Sequence, residues 1–134
     1  MIDNPTTMRV GVAGELAVQQ NLISSGYHVY TPLLDDVETD LVCETKYGFK
    51  RVQVKTITKM TTKSSIEVRM SKHKGTDRID VLAVYYEPLN IIAYLNWDSS
   101  KESINLAINN AVNGQEKHRK YFYAYSNFPQ ESYD

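Results

Sequence analysis

The chain has 134 residues, of which 42% are hydrophobic and 23% charged, and its formal net charge is −1. This length suits one domain around one sizeable core, and no apolar run approaches the length needed to span a membrane. One cysteine, Cys43, rules out an intramolecular disulfide, and one cysteine with three scattered histidines argues against a zinc site.

Residues 4–26 predict the first helix. Asn4 can cap it, Pro5 fits its first turn, and Gly26 can end it in the left-handed region. Val12, Leu16 and Ile23 suggest its apolar stripe. Strands follow at about 27–33, 40–44 and 50–58, and Lys46-Tyr47-Gly48 marks a tight turn that makes the last two a hairpin. Cys43 lies in an apolar run and reads as a small core residue. A short strand is predicted near 65–70. Residues 79–87 are nearly all apolar and read as a central strand buried on both faces. Residues 90–97 pair with it across Pro88-Leu89. Ile104, Leu106 and Ile108 alternate as in another short strand, and 114–128 predict a final helix followed by a frayed tail. Helix, several strands, then helix is the order of an α/β sandwich with a mixed central sheet. No signal-peptide pattern opens the chain, so a cytoplasmic location without membrane association is expected.

Charge is unevenly spread. Residues 46–78 carry ten Lys and Arg against Glu67 and Asp77, a segment charge of +8 that leaves −9 for the rest. A basic segment of this kind suits a polyanion. Lys59, Lys63, Arg69, Lys72, Lys74 and Arg78 are the candidate phosphate contacts, set among hydroxyls and beside Gly75. Tyr121, Tyr123 and Tyr125 could stack on bases, but helix packing with wet hydroxyls is the plainer reading. His28, His73 and His118 show no ligand or triad spacing and read as surface or rim residues.

Alternation along 51–56 (RVQVKT) puts Val52 and Val54 on one face and Arg51, Gln53 and Lys55 on the other. On the preceding strand Asp40, Val42 and Glu44 share a face, and a turn near Gly48 sets Asp40 opposite the region of Lys55. Glu15 lies at the edge of the first helix, close in projection to Leu22, and can lean over the sheet to join them. Hard oxygen ligands with a lysine suit metal-assisted phosphodiester hydrolysis. Asp40 would be the principal ligand, joined by the Gln53 amide oxygen, the Val54 backbone carbonyl and Glu15, with Lys55 activating water. Glu44-Thr45-Lys46 fits the letter of (D/E)XK but lies on the strand of Asp40 and cannot converge with it. Asp35, Asp36 and Glu38 read as a solvated loop, with Asp36 as a fallback ligand.

Glu15, Asp40 and Gln53-Val54-Lys55 together resemble the PD-(D/E)XK nuclease superfamily. Residues 14–42, followed by FKRVQVKT at 49–56, are similar to its group I intron-encoded homing endonucleases. The resemblance implies a restriction-endonuclease-like sandwich, with a mixed sheet flanked by helices, in one nuclease domain over 1–134. It implies a Mg²⁺-dependent enzyme, with Mn²⁺ able to substitute, that cuts double-stranded DNA as a homodimer or homotetramer. Gln53 stands where most of the superfamily carries a carboxylate. The competing expectations are a Holliday-junction-resolving or repair nuclease, and a non-catalytic DNA-binding module of the same fold.

Overall fold

A computed structural model describes residues 6–109 and 119–129. Helix α1 spans Thr7–Ser24. Strands follow at β1 (His28–Tyr30), β2 (Leu41–Thr45), β3 (Gly48–Ile57), β4 (Ser65–Arg69), β5 (Val81–Tyr86), β6 (Ile91–Asn96) and β7 (Ser103–Ala107). Single 3-10 turns lie at Ser71–His73, Glu87–Leu89 and Phe122–Tyr125. Five strands form one sheet in the order β1-β2-β3-β5-β6, and β4 pairs with β7 in a separate ribbon. Only the β3–β5 neighbours in the larger sheet are parallel, so the sheet is mixed, as the element order suggests.

The sheet buries both faces. On one side α1 packs Val18 and Leu22 against Leu41, Cys43, Val52, Val54, Val81 and Ala83. On the other, the β4–β7 ribbon brings Ile66, Val68 and Leu106 onto Leu82, Val84 and Leu95. Burying each aliphatic side chain contributes roughly 1.5–3 kcal/mol. Strand β5 is covered on both sides, which explains its unbroken apolar run. Cys43 is fully buried, and burial pushes its thiol up to about 11.

Three local expectations need correction. Thr6 caps α1, its side chain accepting from the Arg9 N–H, whereas Asn4 and Pro5 fall outside the described residues. The buried stripe of α1 is Gly14, Val18 and Leu22, while Val12, Leu16 and Ile23 are exposed. The helix meets the sheet through its smallest residue. A Cβ at Gly14 would lie 1.8 Å from Thr56 Oγ1, so the helix axis comes closer than a leucine ridge allows. The final helix is not seen within 119–129. Tyr121 bridges to Ala107 and Phe122 is buried against the ribbon side of the sheet. Phe128 packs between Tyr27 and Tyr94, at 5.5 and 5.4 Å between ring centroids. Aromatic anchoring of an irregular segment therefore replaces a helical face here. The second face of the sheet, among the described residues, is covered by strands rather than a helix. Residues 114–118, including His118, and most of the tail lie outside the described residues.

Candidate active site

The β2–β3 hairpin sets the site. Lys46 and Tyr47 form its two-residue turn, with Gly48 at φ +123°, a conformation glycine adopts without strain. Thr45 pairs with Gly48 and Leu41 with Val52. Carrying this register one step on, Asp40 faces Gln53, two residues from the position near Lys55 that a looser turn would give. The Asp40 N–H donates to the Val52 carbonyl at 2.9 Å and continues the ladder. Asp40 Oδ2 accepts from the Val54 N–H at 2.8 Å and from Gln53 Nε2 at 2.9 Å. Gln53 Nε2 also lies 3.2 Å from the Val54 carbonyl oxygen. Two of the expected ligand atoms, Asp40 Oδ2 and Val54 O, thus converge on one amide N–H₂ group.

Gln53 is buried, and its Oε1 has no hydrogen-bond partner. A buried orphan acceptor costs about 1–3 kcal/mol. Rotating the amide by half a turn would aim this oxygen at the place where Nε2 now sits. The donor set then becomes a carboxylate, an amide oxygen and a peptide carbonyl, all hard oxygens that fit a divalent cation. The residues present therefore fit such an ion. Glu15 is half-buried on α1, one residue after the close contact at Gly14. Burial, and then the charges of Asp40 and Asp35, raise its carboxyl above the ordinary value. Among the described residues no three His, Cys, Asp or Glu side chains form a ready cluster.

Lys55 shares the strand face of Gln53. Burial, and then the charge of Lys72, hold its ammonium below the ordinary lysine range, against the pull of Asp40 and Glu38. Asp40 is raised, chiefly by burial, which outweighs the Val54 N–H and the charge of Lys55. Desolvated acids beside a desolvated lysine are the electrostatics of a functional site.

Two neighbours escaped sequence reasoning. His73 is 3% exposed, not a rim residue, and its Nε2 lies 3.2 Å from Lys55 Nζ. Its Nδ1 lies 2.5 Å from Glu38 Oε2. Glu38 and Asp36 are likewise not idle loop acids. Asp36 accepts from the Glu38 and Thr39 N–H groups at 2.9 and 3.1 Å and is held by Arg78. Those bonds lower its carboxyl and engage the oxygens it would need as a fallback ligand. Glu44, the decoy acid, accepts from Tyr30 Oη at 2.8 Å on the far side of the hairpin.

Of the candidate phosphate contacts, Lys59, Lys63 and Lys72 are exposed. Arg69 pairs with Glu67, Lys74 with Glu102 and Arg78 with Asp36. Half of the basic set is thus already engaged within the chain.

A family profile described as PD-(D/E)XK endonuclease matches residues 6–128. The chain belongs to the PD-(D/E)XK endonuclease family. Protein 5.3 of Escherichia phage T7 is 32% identical over 105 residues, covering 73% of this chain and 86% of that protein. The bacterial homing endonuclease I-Ssp6803I has the same fold, with a TM-score of 0.69 and 22% identity over 91% of this chain and 87% of that one. The α/β class and the superfamily resemblance read from the sequence are both borne out. Nucleases of this family generally work with divalent metal ions and act on DNA. No helix among the described residues is long and apolar enough to cross a membrane.

Proposed function

We propose that this chain is a Mg²⁺-dependent, site-specific endonuclease of the homing type that hydrolyses double-stranded DNA, with Mn²⁺ able to substitute. The observation that carries the reading is the convergence of Asp40, Gln53 and the Val54 carbonyl, with Lys55 next along the same strand, in a chain of the endonuclease family. Asp40, Gln53 through Oε1, Val54 through its carbonyl, and Glu15 would hold the ion. When bound, the ion supplies Lewis acidity to the phosphate and lowers the pKa of water. Lys55 orients the attacking water and offsets negative charge as the phosphorus becomes five-coordinate. The water oxygen bonds to phosphorus and one ester P–O bond breaks. Lys59, Lys63 and Lys72 place the duplex through its phosphates.

One such site cuts one strand, so a double-strand break calls for a homodimer or homotetramer. The likeness to a homing endonuclease fold favours a long target read by symmetric subunits. A DNA substrate favours the cytoplasm as the place of action.

The test is incubation of the chain with a random duplex library and Mg²⁺, followed by sequencing of the cut ends. Clustered ends that vanish with Asp40→Ala support the reading. Intact DNA with every divalent ion refutes it, and preferential cutting of four-way junctions moves it to junction resolution. Lys55→Ala should bind the recovered site normally and lose on the order of 3 kcal/mol of barrier lowering, as when other transition-state donors are removed.

A further inference from the structure

We propose that His73 is a positioning residue for Lys55, fixed by Glu38 in the neutral tautomer that carries its proton on Nδ1. The proposal rests on the endonuclease reading. Its geometry is a three-member chain: Lys55 Nζ to His73 Nε2 at 3.2 Å, and His73 Nδ1 to Glu38 Oε2 at 2.5 Å. An ammonium group has only hydrogens to offer, so the ring nitrogen facing it must present a lone pair. The ring proton then sits on Nδ1, facing a carboxylate that can only accept. With Lys55 as the ammonium, donors and acceptors match along the whole chain. A carboxylate that fixes the tautomer of a working imidazole is a recurrent device in active sites.

The architecture favours this role over a buried histidine that merely fills space. His73 lies on a single 3-10 turn and is 3% exposed, so its ring has little freedom to turn away. Among the described residues the two ring nitrogens meet the side chains of Lys55 and Glu38. Glu38 stands two residues before Asp40, on a loop whose Thr39 hydroxyl donates to the Arg78 carbonyl at 2.9 Å. Arg78 in turn holds Asp36, whose carboxylate accepts from the Glu38 N–H. The loop that delivers Asp40 to one end of the site therefore delivers the anchor of Lys55 to the other. A lysine has a long flexible stem and, without a fixed acceptor, would sample many positions. Here the neighbouring charge of Lys72 also pushes on it. The imidazole lone pair gives the ammonium one direction to point and leaves its other hydrogens for water and phosphate.

The test uses the full chain. Nitrogen-15 NMR of the histidine rings, without metal or DNA, should show His73 with a protonated Nδ1 and a bare Nε2. A proton on Nε2 overturns the inference whatever the enzyme does. Single-turnover nicking of a supercoiled plasmid carrying the cut site recovered from the duplex library, in Mn²⁺, is then compared for His73→Ala, His73→Gln and Glu38→Gln, each with Lys55 present and with Lys55→Ala. Removing the imidazole should slow nicking by about 10–100-fold, the range for loss of an outer-shell partner. DNA affinity measured in Ca²⁺ should stay within about twofold. His73→Gln, which can accept from Lys55 and donate to Glu38, should recover part of the loss, and it serves if His73→Ala fails to fold. In the Lys55→Ala background neither His73 substitution should slow nicking further. Losses that multiply there show a structural role and overturn the proposal. Wild-type protein that nicks nothing defeats the endonuclease reading, and positioning for cleavage with it, while the tautomer still reports on the contact itself.

Discussion

Replacing Gly14 by alanine should destabilise the protein, although the same change one turn earlier should stabilise it. A Cβ at Gly14 would stand 1.8 Å from Thr56 Oγ1, 3.0 Å from Thr56 Cβ and 3.4 Å from its Cγ2. Turning the Thr56 side chain removes the first clash but not the second, so α1 must lift from β3. Overpacking of this kind costs about 1–3 kcal/mol. Alanine returns about 1 kcal/mol in helix propensity, leaving a net loss of up to about 2 kcal/mol. Gly11 has no heavy atom within 4 Å of the corresponding position. Gly11→Ala should therefore gain about 0.5–1 kcal/mol from the same propensity. Thermal and urea melts of both variants measure the pair, with a fall of several degrees expected for Gly14→Ala and a rise for Gly11→Ala. Adding Thr56→Ala should recover part of the Gly14→Ala loss, because it removes the 1.8 Å and 3.4 Å contacts together. The lift also moves Glu15, so cleavage should fall more than stability alone explains. If both alanines raise the melting temperature, the close approach of α1 to β3 is not as described.

Gln53→Glu should lower the Mg²⁺ concentration at half-maximal cleavage. It should also lower the metal-free melting temperature, because a carboxylate would replace the N–H₂ group that now donates to Asp40 at 2.9 Å; an unchanged midpoint in a Mg²⁺ titration speaks against Gln53 as a ligand. Burial works to raise Asp80, but its bonds from Arg51 prevail and hold its carboxyl below the ordinary 3.8. A depressed carboxyl contributes stability that is present above its unfolded pKa and is lost as pH falls through the folded value. Wild type should therefore lose stability on acidification below about pH 4, and Asp80→Asn should show a shallower loss over that range in urea melts; equal slopes would remove the Arg51–Asp80 pair from the account. Lys72→Ala should reduce the slope of log affinity against log salt by about one on duplex DNA, read by fluorescence anisotropy. Arg69→Ala should change it less, because Arg69 is already paired with Glu67 at 2.9 Å; equal changes would show that the internal pair opens freely on DNA.

Period-two alternation was enough to place Gln53 and Lys55 on one face and Val52 and Val54 on the other, because successive strand side chains point to opposite faces whatever covers them. An unbroken apolar run, not alternation, identified β5 as central. The helix was harder to read. Its apolar residues outnumber its buried ones, and the buried stripe is selected by Gly14, which carries no hydrophobic signal at all. Leu22 was the useful marker, since Glu15 projects close to it and is half-buried for that reason. The C-terminal aromatics misled because tyrosine and phenylalanine anchor an irregular segment as readily as a helix. His73 was invisible for another reason: it sits in a run of lysines, where sequence suggests solvent, yet a tight turn after β4 folds its ring inward. Only tertiary structure brings it to Lys55, 18 residues earlier.

Gln53 sets a trade-off in the site. Glu15 and Asp40 are both raised, chiefly because burial disfavours their charge. A third carboxylate at position 53 would add repulsion to that desolvation and leave the empty site dependent on a cation for stability. The amide avoids this, since its N–H₂ group donates to Asp40 and lies beside the Val54 carbonyl, where a cation would otherwise be needed. In the proposed metal site the cost would fall on binding, because that hydrogen bond would have to break and the amide turn before Oε1 could serve. Under the proposed role, a glutamine here would favour folding without metal at the expense of metal affinity. Stability and metal affinity should then move in opposite directions when position 53 gains a charge, a coupling that a passive residue on a wet strand face would not produce.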